Sequence, residues 1–180
     1  MGLWCCNVVK DYDQAIRWLS AASAQGDAEA QYNLGVCYSY GEGVPRDPKM
    51  AVYWWTKAAD QGFAMAQFNL GVCCYKGEGM DKDLKQAICW YRKSAEQGFA
   101  EAQYRLGKCY AAGDGVDQDM KQALNWWTGA AENGHPMAQV LIGSFFEDAA
   151  KDVEKAVYWY RKAAEQGNED AKARLKRLGR

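Results

Sequence analysis

Apolar positions recur along this chain at helical spacing, and the two-residue alternation of a half-buried strand is absent. Ala30, Leu34 and Tyr38 fall at i, i+4 and i+8, one face of a helix predicted over roughly 28–40. Gly41 follows, where a helix can stop in the left-handed conformation without a Cβ penalty. A second helix is predicted after Asp47, whose carboxylate can cap free amides, with Pro48 tolerated at the first helical position. It stops at Gly62. The chain reads as all-α.

The pattern then repeats. "LGVCYSYGEGV" at Leu34 returns as "LGVCCYKGEGM" at Leu70 and "LGKCYAAGDGV" at Leu106, and Gly35, Gly71, Gly107 and Gly143 stand 36 residues apart. "AVYWWTKAADQG" at Ala51 returns at Ala87, Ala123 and Ala156, with an earlier copy at Ala15. Asp83, Asp119 and Asp152 match Asp47; Gly26, Gly98, Gly134 and Gly167 match Gly62. A period of this length means stacked helix pairs. A loop that supplied catalysis would not normally be copied along one chain, so the glycines are architectural. Gly35 and its copies sit inside helices at a cost of about 1 kcal/mol relative to alanine. The expected compensation is close approach of the next helix, at alanines such as Ala51 or Ala58.

Together the Leu-Gly-x2-Tyr-x2-Gly-x-Gly-Val turn and the Trp-Tyr-x-Lys-Ala-Ala-x-Gln-Gly end resemble the Sel-1-like repeat, a family related to the tetratricopeptide repeats. The resemblance covers nearly everything from Asp11 to Gly179. It implies a right-handed α-solenoid superhelix of antiparallel helix pairs in one repeat domain. The divisions are an N-terminal cap and half repeat over 1–26, repeats over 27–62, 63–98 and 99–134, a shortened repeat over 135–167, and a C-terminal capping helix over 168–180. Three departures stand out: Cys74 replaces the tyrosine of Tyr38 and Tyr110, Gly129 replaces a lysine, and "FEDAAKD" has lost three residues and the Gly-x-Gly turn. Residues 1–10 stand in place of a first helix.

Composition narrows the function classes. The 180 residues carry a net charge of −1, which gives no electrostatic reason to expect nucleic acid or an anionic membrane as a partner. No run of eighteen apolar residues exists, so membrane insertion is not expected. The start, "MGLWCCNVVK", lacks a basic n-region and a long apolar core, and is not an intact signal peptide. A trimmed one, with a periplasmic or secreted location, stays open.

Chemistry-bearing residues are sparse. The single histidine, His135 in "NGHPM", is read as a cap or turn residue rather than a general base or metal ligand, because no second histidine completes a site. No catalytic residue, cofactor or metal is expected. Cys37, Cys73 and Cys109 share a position with Phe145, which suggests a core slot, since free cysteine packs as a small hydrophobe. Helices about 8–10 Å apart hold equivalent cysteines beyond the roughly 7 Å that a disulfide spans. Cys5-Cys6 and Cys73-Cys74 are vicinal and lack zinc-ribbon spacing. Free thiols in this number favour a reducing compartment, the cytoplasm. In the basic end, Ala171, Leu175 and Leu178 are expected to cover the core while the cations suit a helix C-terminus.

By resemblance to tetratricopeptide arrays, the first helix of each pair lines a concave groove. This places Tyr32, Phe68, Tyr104 and Val140 in one column and Val36, Val72, Lys108 and Ser144 in another, with Asn33, Asn69 and Arg105 beside them. Asparagines can grip an extended peptide backbone through paired donor and acceptor. The same tyrosines and asparagines could equally be packing between repeats. The function implied is a non-catalytic interaction module, an adaptor or scaffold, monomeric in isolation, holding a protein or peptide segment in that groove. The alternative is a dedicated inhibitor or immunity protein of a bacterial toxin or effector enzyme. An enzyme ranks third.

Overall fold

The computed structural model describes residues 12–180, and within them the chain forms ten α-helices. Residues 1–10, with Cys5 and Cys6, lie outside the described residues. The chain divides into two compact units, up to Ser94 and from Ala95 onward.

In the first unit α1 (Tyr12–Ala24), α2 (Ala28–Tyr40), α3 (Pro48–Asp60), α4 (Ala64–Lys76) and α5 (Leu84–Glu96, which crosses the division near its end) each pack on the next. In the second, α6 (Ala100–Ala112), α7 (Met120–Glu132), α8 (Pro136–Asp148), α9 (Val153–Glu165) and α10 (Glu169–Arg177) do the same. Several helix ends use the capping chemistry the sequence offers, while α4 and α6 begin at Phe63 and Phe99 without a side-chain cap. The Asp47 carboxylate accepts from the amides of Lys49 and Met50 at 3.0 and 3.1 Å, and Asp119 accepts from Lys121 and Gln122 at 2.9 and 3.0 Å. Asp83 and Asp152 each accept from the amide three residues on. Gly41, Gly77 and Gly113 stop α2, α4 and α6 at φ near 78, 76 and 80°.

The cores form between helix pairs. Leu34, Ala51, Trp55, Ala58, Ala66 and Leu70 are buried in the first unit, and Leu106, Ala130, Ala138, Ile142 and Tyr160 in the second. Each large apolar side chain so buried contributes about 1.5–3 kcal/mol. Ala171, Leu175 and Leu178 do pack on the core of the last helix pair.

The close approach expected at the helical glycines is made chiefly by rings, with an alanine contributing only at Gly107, where the Ala123 carbonyl would stand 3.1 Å from a Cβ. A Cβ built on Gly35 would stand 2.5 Å from Trp55 Cδ1, and one on Gly71 would stand 2.5 Å from Tyr91 Cδ1. In the second unit Trp127 lies on Gly107 and Tyr160 on Gly143 in the same way. Trp55 and Trp127 also donate their indole N–H to the carbonyls of Tyr32 and Tyr104, both at 3.2 Å. An aromatic ring needs the whole width that a side chain would take, so glycine is required under it.

A second device escaped the sequence reading. Gln31, Gln67, Gln103 and Gln139, again 36 residues apart, are all buried. Each donates its side-chain amide at 3.1–3.2 Å to a carbonyl eight residues back, at Ser23, Ala59, Ala95 and Ala131. The Gln31 carbonyl oxygen accepts from Gln61, that of Gln103 from Asn133, and that of Gln139 from Gln166. The turn between one helix pair and the next is thus tied by a buried amide whose polar groups are matched. The signal was present as the recurring "Ala-Gln" pair.

Phe145 departs from expectation. Cys37, Cys73 and Cys109 are 8%, 5% and 4% exposed, but Phe145 at the matching place is 38% exposed. The slot is core only where a Gly-x-Gly turn follows it.

Candidate functional site

The residues expected to face a partner sit on α2, α4 and α6, and most of them already hold the fold. The Tyr32 ring lies 5.2 Å from that of Phe63, centroid to centroid, and its hydroxyl hydrogen-bonds the Asn69 side chain. Burial pushes the Tyr32 hydroxyl pKa up. Phe68 lies 5.8 Å from the buried Tyr91 ring. Val36 packs on the core around Trp55. Val140 is itself core, so it does not belong to a binding column. Asn33 is half-buried.

In the first unit a cleft of about 340 Å3 is lined by residues from the end of α2, from α3 and from α4. Two predicted residues, Asn69 and Val72, line it, with Ala51 and Trp55 among the other lining residues. Around them stand Ser39, Tyr40, Arg46, Lys76 and Glu78, none of which the sequence reading singled out. Arg46 pairs with Glu78 and donates its Nε–H to the Ser39 carbonyl at 3.0 Å. Tyr40 is 73% exposed. The arrangement offers an apolar floor, one amide and charges of both signs.

In the second unit the predicted Tyr104 stacks on His135, 4.3 Å between ring centroids and 17° between planes. His135 caps α8: its Nδ1 accepts from the Ala138 amide at 3.2 Å. The ring proton is therefore on Nε2, which donates to Glu101 Oε2 at 2.8 Å. That bond, with help from Arg105, holds the Glu101 carboxyl down at about 2. Arg105 Nε lies 2.8 Å from Glu101, while Lys108 is exposed, its ammonium 6.0 Å from the Tyr104 ring centre. His135 is a cap, as its place in the sequence suggested. Trp55, Tyr91 and Tyr160 are buried, so the second helices do not present these rings to a partner.

Among the described residues no group of three or more histidine, cysteine or acidic side chains is placed to hold a metal ion. Cys37, Cys73, Cys74, Cys89 and Cys109 are free thiols, and all but Cys89 are buried. Burial, with Glu78 nearby, pushes Cys73 up to about 12, and burial with Asp114 pushes Cys109 to about 11. Neither is poised as a nucleophile. No described helix is long and apolar enough to cross a membrane.

Comparison with known proteins agrees with this architecture. The Sel1 repeat model matches residues 1–27, 28–63, 64–99, 100–135 and 136–168. A Sel1 repeat protein from Oxalobacter formigenes is 34% identical in sequence, superposes with a TM-score of 0.84, and is matched over 92% of this chain and 69% of its own. A protective antigen of uropathogenic Escherichia coli is 37% identical with a TM-score of 0.82, over 93% of this chain but only 37% of that one. An immunity protein of Pseudomonas aeruginosa, 24% identical with a TM-score of 0.60 over 89% of this chain and 60% of its own, shares the fold alone. No curated protein matches the chain.

Proposed function

The chain belongs to the Sel1 repeat family, an α-solenoid of helix pairs, and we propose that it is a non-catalytic module that holds a segment of another protein on its first-helix faces. The observation that carries this is the cleft in the first unit. It has an apolar floor, and on its wall Asn69 and Val72 are set beside the exposed Tyr40 ring. Exposed tyrosine and half-buried asparagine provide apolar area and backbone hydrogen bonds at low entropic cost. Cys73, the thiol on its wall, is pushed up to about 12 by burial and is not an activated nucleophile.

The reading is tested by affinity capture from the native source with matched baits. Wild type should retain a protein that Val72→Glu and Asn69→Ala lose, with helical content and melting temperature kept. Equal retention by all three baits would contradict it.

A further inference from the structure

The second unit lacks a piece that the first unit has twice. The Gly41–Gly43 turn lies on α1, where a Cβ on Gly43 would come within 2.9 Å of Ile16 and Tyr12. The Gly77–Gly79 turn lies on α3 against the Pro48 carbonyl and Val52. On α7 the places equivalent to Pro48 and Val52 are Met120 and Leu124. The turn that should cover them belongs to the repeat of α8 and α9, the one that is three residues short.

Leu124 is half-buried against the core, but the start of α7 and the Phe145 slot are open. Met120 is 52% exposed, and Phe145 is exposed where its cysteine counterparts are buried. A largely apolar groove of about 380 Å3 opens among Leu124, Ile142, Phe145, Phe146, Tyr158 and Trp159. Two lysines flank it: the Lys155 ammonium lies 5.3 Å from the Phe146 ring centre, and that of Lys162 lies 4.8 and 5.5 Å from those of Tyr158 and Trp159. Glu132 stands on its wall, and Lys155 is paired with Asp152 at 3.0 Å.

We propose that this groove docks a loop of a different protein that carries the chemistry of the missing turn: glycine, an acidic residue and one apolar side chain. The three complete turns define that chemistry, as Gly-Glu-Gly-Val at 41–44, Gly-Glu-Gly-Met at 77–80 and Gly-Asp-Gly-Val at 113–116. Glycine lets the backbone come down onto the helix, as Gly79 does onto Pro48. The apolar side chain enters the core edge, as Met80 does in the first unit. The acid complements Lys162 and competes with Asp152 for Lys155, whose ammonium lies 3.0 Å from the Asp152 carboxylate. This site is independent of the first-helix cleft, and its failure would leave the reading of that cleft untouched.

The test uses the full chain and a head-to-tail cyclised peptide of residues 76–83, "KGEGMDKD", as the probe; cyclisation holds the turn and lowers the ordering cost. Two-dimensional NMR should show saturable shifts at Leu124, Phe145 and the Trp159 indole. Affinity should fall at least tenfold for Phe145→Ser, for the rim variant Lys155→Glu, and for a peptide carrying Met80→Ser. Restoring a Gly-Glu-Gly turn in the loop after Phe146 should abolish peptide binding, while Val72→Glu should leave it unchanged. The proposal is overturned if the shifts fall elsewhere or do not appear at millimolar peptide. It is also overturned if Phe145→Ser and Lys155→Glu both bind normally. Groove signals that change with protein concentration alone would show a second copy as the occupant, and would equally overturn it.

Discussion

The Tyr91 ring occupies the space in which a side chain at Gly71 would begin, with Cδ1 and Cε1 at 2.5 and 2.6 Å from an ideal Cβ. The ring is 3% exposed and held by the helices around it, so it has no room to retreat. Gly71→Ala should cost about 1–3 kcal/mol through overpacking, and Gly71→Leu more. Gly79→Ala, in a surface turn, should also be costly: its φ is +75° and a Cβ would run into the Pro48 carbonyl. Gly62→Ala is the contrast, with a positive φ but open space, and should lose only about 1 kcal/mol from backbone strain. Chemical denaturation of the four variants checks the order. Equal losses at Gly62 and Gly71 would show that the ring contact is not what requires glycine.

Gln103→Leu keeps most of the volume but removes both halves of a buried amide. The Ala95 carbonyl loses its donor and Asn133 loses its acceptor. The expected loss is about 1–3 kcal/mol, the cost of leaving buried polar groups unmatched. Amide hydrogen exchange should also rise around the Gly98 turn. A variant as stable as wild type would mean that these amides do not tie the repeats.

Glu101 sets a pH dependence with a definite sign. Its carboxyl is held at about 2 in the fold, chiefly by the His135 N–H, against 4.5 for the free group. The stabilisation is therefore fully present above about pH 4.5 and is lost as pH falls towards 2. Because the side chain is a third exposed, solvent screening keeps it to about 1 kcal/mol. Glu101→Gln should be less stable than wild type at pH 7, and the difference should shrink towards pH 2. A difference that grows on acidification would contradict the assignment.

The thiols give a graded prediction. Alkylation at pH 8 followed by mass spectrometry should modify Cys89 first among the described cysteines. Cys73, Cys74 and Cys109 should resist until the protein unfolds, because burial disfavours their thiolates. Reductant should leave the melting temperature unchanged. Rapid native labelling of Cys73 would show that the core around Trp55 opens readily.

The repeat period, helix ends and capping aspartates were legible because each is a local rule acting on neighbouring residues. The partner of each helical glycine was not, since whether Gly35 meets an alanine or the Trp55 ring depends on how two helices settle against each other. Asn69 and Val72, which periodicity set in or beside the concave columns, both line the cleft. Periodicity could not show that Tyr32 uses its hydroxyl to hold Asn69, nor that Tyr40, Arg46 and Glu78 from neighbouring turns complete the cleft. Phe145 was misjudged for a related reason: burial at its position comes from the turn that follows, and that turn is missing.

The central claim is that the first-helix cleft around Asn69 and Val72 holds another protein. The most direct measurement is the affinity of a partner, captured by wild type from the native source, for the Val72→Glu variant at matched stability. Interface positions of this kind cost 2 kcal/mol or more when they are hot spots, a loss of about thirtyfold. The account predicts at least that loss, with melting temperature and helical content kept. An unchanged affinity in a folded Val72→Glu protein would contradict it.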